Sequence, residues 1–222
     1  MTRKILERSQ NYPYHTYNRT IDKTFFNCDL KHLWNECMNL CCILSWAYGA
    51  RIHAFVLMSN HFHMLISTPD ENIDDCMRYF QGELSRWVAS QIKSQRNCFG
   101  ARYKWTIIKD ALHYRDAYKY VYQNPIRAKL CLEAEKYPFS TLSGRLGNQK
   151  LSCPIYEHEF HTYLPTLTHD ECQWINTVFN EVELGKIRSA VKKRIYATPL
   201  RVRKTFRPTM SGESIQVCGE KS

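Results

Sequence analysis

The chain reads as an α+β protein, a four-stranded antiparallel sheet with helices on its faces. Two observations predict this. Segments of two-residue apolar alternation interleave with segments of helical periodicity in the order strand, helix, strand, strand, helix, strand, helix. Two apolar runs also flank a short Ser59-Asn60 break, the mark of a β-hairpin in the middle of that order. The first six elements match the split βαβ, ferredoxin-like arrangement. Two helices then cover one sheet face, and the other face is left for function or for the last helix.

Each element has its own signal. Tyr14 to Arg19 is rich in β-formers and reads as the first strand. Asp29 to about Trp46 carries apolar residues at helical spacing, with Asp29 as cap and Gly49 as stop. Ile52 to Met58 and Phe62 to Ile66 form the hairpin, and residues 69–72 form a turn. Ile73 to about Gln95 is amphipathic, with Met77, Phe80, Leu84, Trp87 and Val88 on one side. Lys104 to Ile108 reads as the fourth strand, and Asp110 to Gln123 as a helix stopped by Pro125. Beyond about residue 145 prolines and polar residues imply a looser appendage, with a helix over Glu171 to Leu184. The division expected is a catalytic domain over 1–145 and a helical, basic extension over 146–222.

The hairpin carries the most informative residues. Side chains two apart on a strand share a face, so His61 and His63 aim two imidazoles at one point. Two neutral imidazoles side by side hold a divalent metal. In the last helix of the core, Tyr120 and Asn124 stand four residues apart and share a face. An amide oxygen at Asn124 is a third ligand for a hard cation such as Mg²⁺ or Mn²⁺. His15 and His53 read as satisfied core histidines in preference to neighbours of the site, and Glu83 with Arg86 as an exposed ion pair.

Composition narrows the partners. There are 31 basic and 21 acidic residues, a net charge of +10 with pI near 9.1, and 14 tyrosines. A basic surface meets a polyanion, and abundant rings favour unpaired bases over duplex. Lys186, Arg188, Lys192, Lys193, Arg194, Arg201, Arg203, Lys204 and Arg207 make the end an arm for a phosphate backbone rather than a solvated tail. No segment is long and apolar enough for a membrane span, and Met1-Thr2-Arg3-Lys4 lacks the apolar run of a secretory signal, so a cytoplasmic location is expected. The 10 cysteines include no Cys-x-x-Cys pair, which argues for reduced thiols over a zinc site.

Val56 to Ile66, Tyr120 to Leu130 and Tyr137-Pro138-Phe139-Ser140-Thr141 together resemble the single-tyrosine HUH transposases, and within them the REP-associated tyrosine transposases of the IS200-like superfamily. Tyr14 to Arg19 and Gly100 to Lys104 fit the same pattern, so the resemblance spans roughly 12–145. It implies a metal-dependent endonuclease and strand transferase that cuts single-stranded DNA near a hairpin through a 5′-phosphotyrosine. It maps His61 and His63 onto the metal ligands, Asn124 onto a polar third ligand, and Tyr120 onto the nucleophile, with Tyr122 as its rival. Arg102, Lys104, Lys119, Arg127 and Lys129 flank that site as a basic cluster for DNA phosphates. A monomer is expected over a homodimer. The alternative is a non-catalytic module that binds single-stranded hairpins on the same fold.

Overall fold

The computed structural model describes residues 7–93, 96–166 and 168–197. Strands β1 (Tyr14–Arg19), β2 (Arg51–Leu57), β3 (His61–Ser67) and β4 (Lys104–Ile107) form one sheet in the order β2-β3-β1-β4. All three pairings are antiparallel, so β3 is inserted between β1 and β2, as the split βαβ reading requires.

Helix α1 (Leu30–Tyr48) starts where Asp29 accepts a hydrogen bond from the His32 backbone N–H. It stops at Gly49, whose φ of +65° is a left-handed value that a side chain would strain. Helix α2 (Ile73–Gln91) packs with α1 on one sheet face. There Phe55, Phe62, Met64, Ile52 and Ile107 meet Leu33, Cys37, Cys41, Met77, Phe80 and Leu84. Removing so many large side chains from water, at about 1.5–3 kcal/mol each, makes this face the main stabilising core. The cysteines here are packing residues, and Cys37 and Cys41 are fully buried free thiols.

Helix α3 (Ala111–Arg127) lies on the opposite face. It corrects the expectation of a stop at Pro125, because it runs through the proline for two more residues. Proline has no N–H to give the Val121 carbonyl. The Asn124 side-chain amide supplies the donor instead, reaching the Tyr120 carbonyl at 2.9 Å and the Val121 carbonyl at 3.3 Å. The chain then turns at Lys129 (φ +58°) and returns along the outer edge of β2. There Leu57 N–H donates to the Phe139 carbonyl and the Phe55 N–H donates to Thr141 Oγ1. A short helix α4 (Thr141–Arg145) follows.

The extension is not a loose appendage. The single helix expected over 171–184 is two, α5 (Thr168–Asn176) and α6 (Glu181–Ala190), broken where Asn180 starts α6 with a reciprocal capping box to Glu183. Leu164, Ile175, Leu184 and Ile187 join the core around α3. Gln123 Nε2 donates to the carbonyls of Ile175 (2.6 Å) and Thr177 (3.0 Å), and the Tyr118 hydroxyl donates to Glu171 (2.7 Å), which also pairs with Arg145 (3.1 Å). Of the basic arm, Arg201, Arg203, Lys204 and Arg207 lie outside the described residues.

Candidate active site

The two central strands set the site. Pairing places Tyr17 opposite His63 and Arg19 opposite His61. Alternation then turns His15, Tyr17, Arg19, His61 and His63 onto the face that α3 covers. The His61 and His63 ring centroids are 5.2 Å apart and nearly perpendicular. Burial drives both imidazoles to the neutral form, pushing His61 down to about 3 and His63 well below the usual range, with Arg19 adding to both shifts.

The proton on His61 can be placed. Asn60 Nδ2 donates to the Lys23 carbonyl at 2.7 Å, so its Oδ1 faces His61 Nδ1 at 2.6 Å and accepts a hydrogen bond from it. Nε2 of His61 is left with its lone pair. Arg19 Nη2 stands 3.4 Å from that nitrogen, too long for a strong bond. His63 Nδ1 lies 2.9 Å from His15 Nε2. The reading of His15 as a satisfied core histidine is therefore corrected: it is fully buried, but within the site, and its Nδ1 has no partner among the described residues. His53 does fit that reading, bonded at both nitrogens to the Tyr156 carbonyl and Ser67 Oγ.

Helix α3 brings in the phenol. The Tyr120 ring stands edge-on to His63 at 5.6 Å and to His15 at 6.0 Å. The Arg127 guanidinium, two turns on, sits 5.0 Å from the Tyr120 ring centre. Its Nε and Nη1 are buried without a hydrogen-bond partner among the described residues. Asn124 is buried one turn after Tyr120, and because its Nδ2 is committed to helix carbonyls, its Oδ1 is the atom left to accept or ligate. Tyr122 points elsewhere: it is 1% exposed, hydrogen-bonded to Thr141 Oγ1 at 2.9 Å, and pushed up to about 12 by burial.

A family model for IS200-like transposases matches residues 10–124, just over half of the chain, from the start of β1's approach to Asn124. The chain belongs to the IS200-like transposase family. The fold of this transposase is also that of a solved REP-associated tyrosine transposase bound to a REP hairpin, at 17% identity and TM-score 0.55, over 72% of this chain and 92% of that one. A structure from Deinococcus radiodurans assigned as a transposase aligns at 16% identity and TM-score 0.37, over 52% of this chain and 90% of that one. No curated protein matches the sequence.

The basic residues of the transposase divide by position. Lys104 stands opposite Tyr17 in the β1–β4 pairing, on the site face, and is exposed. With Arg102, Tyr17 and Lys192 it lines a groove of about 550 Å³ along β4, and among the described residues no acidic side chain lines it. Arg127 adjoins the phenol, and Lys129 is exposed at the end of α3. Lys119 is not brought to the site. It is 6% exposed, held over the rings of Trp174 and Phe179 at 5.2 and 4.8 Å, and pushed down to about 8 by burial. It fastens the extension to α3.

The sequence ranked a place near the site for His15 below a core role, and it gave no site role to Tyr17, Arg19 or Asn60. The signal existed in the two-residue spacing of His15, Tyr17 and Arg19, but only the pairing register puts them beside the histidines. Among the described residues no group of three or more His, Cys, Asp or Glu side chains gathers for a metal. The candidate donors are the two neutral imidazoles, with Arg19 Nη2 at 3.4 Å from His61 Nε2, and the amide oxygen of Asn124 on the helix that carries Tyr120. Imidazole nitrogens with an amide oxygen are donors of the kind a divalent ion accepts. No helix among the described residues is long and apolar enough to cross a membrane.

Proposed function

We propose that this transposase cuts and rejoins single-stranded DNA beside a hairpin, with Tyr120 as nucleophile. The observation that carries the reading is the contact of the Tyr120 ring with His63 across the sheet–helix interface. His61, His63 and Asn124 are the residues to hold a divalent ion, which when bound withdraws charge from the scissile phosphate. The Tyr120 oxygen bonds to phosphorus and the P–O3′ bond breaks. The phenol proton passes to solvent and the leaving 3′ oxygen takes one up, giving a 5′-phosphotyrosine and a free 3′-OH. Attack by another 3′-OH reverses the step without an external energy source, since a phosphodiester is exchanged for a phosphodiester.

Arg127 supplies the anion contact closest to the nucleophile. Its guanidinium lies 5.0 Å from the Tyr120 ring centre, and a planar, always-charged group there suits a phosphate oxygen. Lys104 and Arg102 extend the track along the β4 groove, where Tyr17 offers a ring to a base. Residues 1–145 form the catalytic unit, and the extension holds α3 against its own sheet. The site is therefore built from one chain, and a monomer suffices. The hairpin enters from the solved relative whose bound partner is a REP hairpin.

The test is a labelled single-stranded hairpin oligonucleotide incubated with the protein and Mn²⁺, then run on a denaturing gel. A boiling-resistant shifted band that disappears in Tyr120→Phe supports the reading. Binding without any covalent band, unchanged by Tyr120→Phe, identifies a non-catalytic binding module instead.

A further inference from the structure

We propose that His15 is a positioning residue that holds His63 in its metal-binding tautomer. This rests on the reading of His61 and His63 as ligands. The two rings lie 2.9 Å apart from His15 Nε2 to His63 Nδ1, with centroids 5.1 Å apart and planes within 10°. A centroid distance that exceeds the nitrogen separation by about one ring radius at each end means the rings are coplanar and joined edge to edge, not stacked. One proton lies in that bond, and it belongs to one ring or the other.

Only one arrangement leaves a ligating lone pair. If His15 Nε2 is the donor, His63 carries its own proton on Nε2 and presents an N–H where a cation must sit. If His63 Nδ1–H is the donor and His15 Nε2 the acceptor, the Nε2 lone pair of His63 is open. His15 then carries its proton on Nδ1, the buried atom without a partner among the described residues. His61 reaches the same state through a different acceptor, Asn60 Oδ1. Both imidazoles thus donate from Nδ1 to a neighbouring side chain, the general means by which ligating histidines are oriented. The β1–β3 pairing enforces this, because His15 lies two pairs along from the Tyr17–His63 level, on the same face, and the rings meet on the diagonal. Tyr120 packs edge-on against both rings, so the acceptor and the ligand are gripped as a pair beneath the phenol.

The experiment has two arms on the full chain. In the first, wild type labelled with ¹⁵N-histidine is loaded with diamagnetic Mg²⁺. A through-bond ¹⁵N–¹⁵N coupling between His63 Nδ1 and His15 Nε2, with the proton on His63, is expected. A proton on His15 Nε2 in the loaded protein overturns the assignment. In the second, Mn²⁺ affinity is read from the free-ion resonance signal. His15→Leu should weaken it about 10- to 100-fold, and His15→Gln, whose amide oxygen falls near the position of Nε2, should recover it to within a few-fold. Equal affinity in wild type, His15→Leu and His15→Gln overturns the role of His15. If wild type and His63→Ala bind Mn²⁺ equally, the metal reading itself fails, which is a distinct result. If His15→Leu does not fold, the wild-type coupling decides alone.

Discussion

The helix that carries Tyr120 survives a proline because of one side chain, and this can be measured. Pro125 denies the Val121 carbonyl its helical donor, and Asn124 Nδ2 takes that place at 3.3 Å while also reaching the Tyr120 carbonyl. Val121 is fully buried, so Asn124→Ala strands its carbonyl away from water. The cost is about 1–3 kcal/mol. For a chain of this size each kcal/mol moves Tm by about 2–4 °C, so Tm should fall by about 2–12 °C. In Pro125→Ala the restored N–H at 125 reaches Val121, and the same Asn124→Ala deletion should then cost about 0.5 kcal/mol or less. Thermal and urea unfolding of the four proteins in chelator, to exclude any effect of metal, gives a coupling energy of more than about 0.5 and up to about 3 kcal/mol. Changes that add to within about 0.5 kcal/mol would refute the substitution of side chain for backbone.

Other outcomes follow from the same geometry. Tyr122→Phe loses one buried hydrogen bond, to Thr141, and should cost about 1 kcal/mol in unfolding while keeping the covalent DNA band; loss of that band with a folded protein contradicts the choice of Tyr120. His53 is pushed down to about 3 by burial, so the unfolded chain takes up its proton first, near pH 6.5, and stability that is full above that pH declines towards pH 3 at about 1.4 kcal/mol per pH unit. His53→Gln should therefore lose roughly 2 kcal/mol less than wild type between pH 7 and pH 5, and parallel pH–stability curves would contradict it. Lys104→Ala should reduce the slope of log affinity against log salt for single-stranded DNA by about 0.7, whereas Lys119→Met should leave the slope alone and loosen the extension. Equal slope changes in both would show that burial of Lys119 against Trp174 and Phe179 does not keep it from phosphate.

The sheet and its first two helices were legible because their signals are local. The Asp29 cap, the Gly49 stop, the Ser59-Asn60 turn and the two-residue alternation each lie within a few positions of what they specify. The pairing of His61 and His63 followed from the same alternation. What was not legible depends on contacts distant in sequence. His15 joins the site only through the β1–β3 register, 48 positions away. The continuation of α3 past Pro125 required a side chain to replace a backbone donor, which propensity does not encode. Lys119 looked like its neighbours in a basic cluster, yet Trp174 and Phe179 from the extension cover it. The break at residues 177–180 was written as a capping box, Asn180 with Glu183, but apolar periodicity ran across it.

The most direct measurement is the site of attachment. The protein is trapped on a hairpin substrate, digested with nuclease and protease, and the nucleotide-bearing peptide is sequenced by mass spectrometry. A nucleotide phosphate on the Tyr120 side chain is the expected result. The same mass on Tyr122, on Tyr17 or on a serine would contradict it, since the imidazole pair would then serve a different nucleophile.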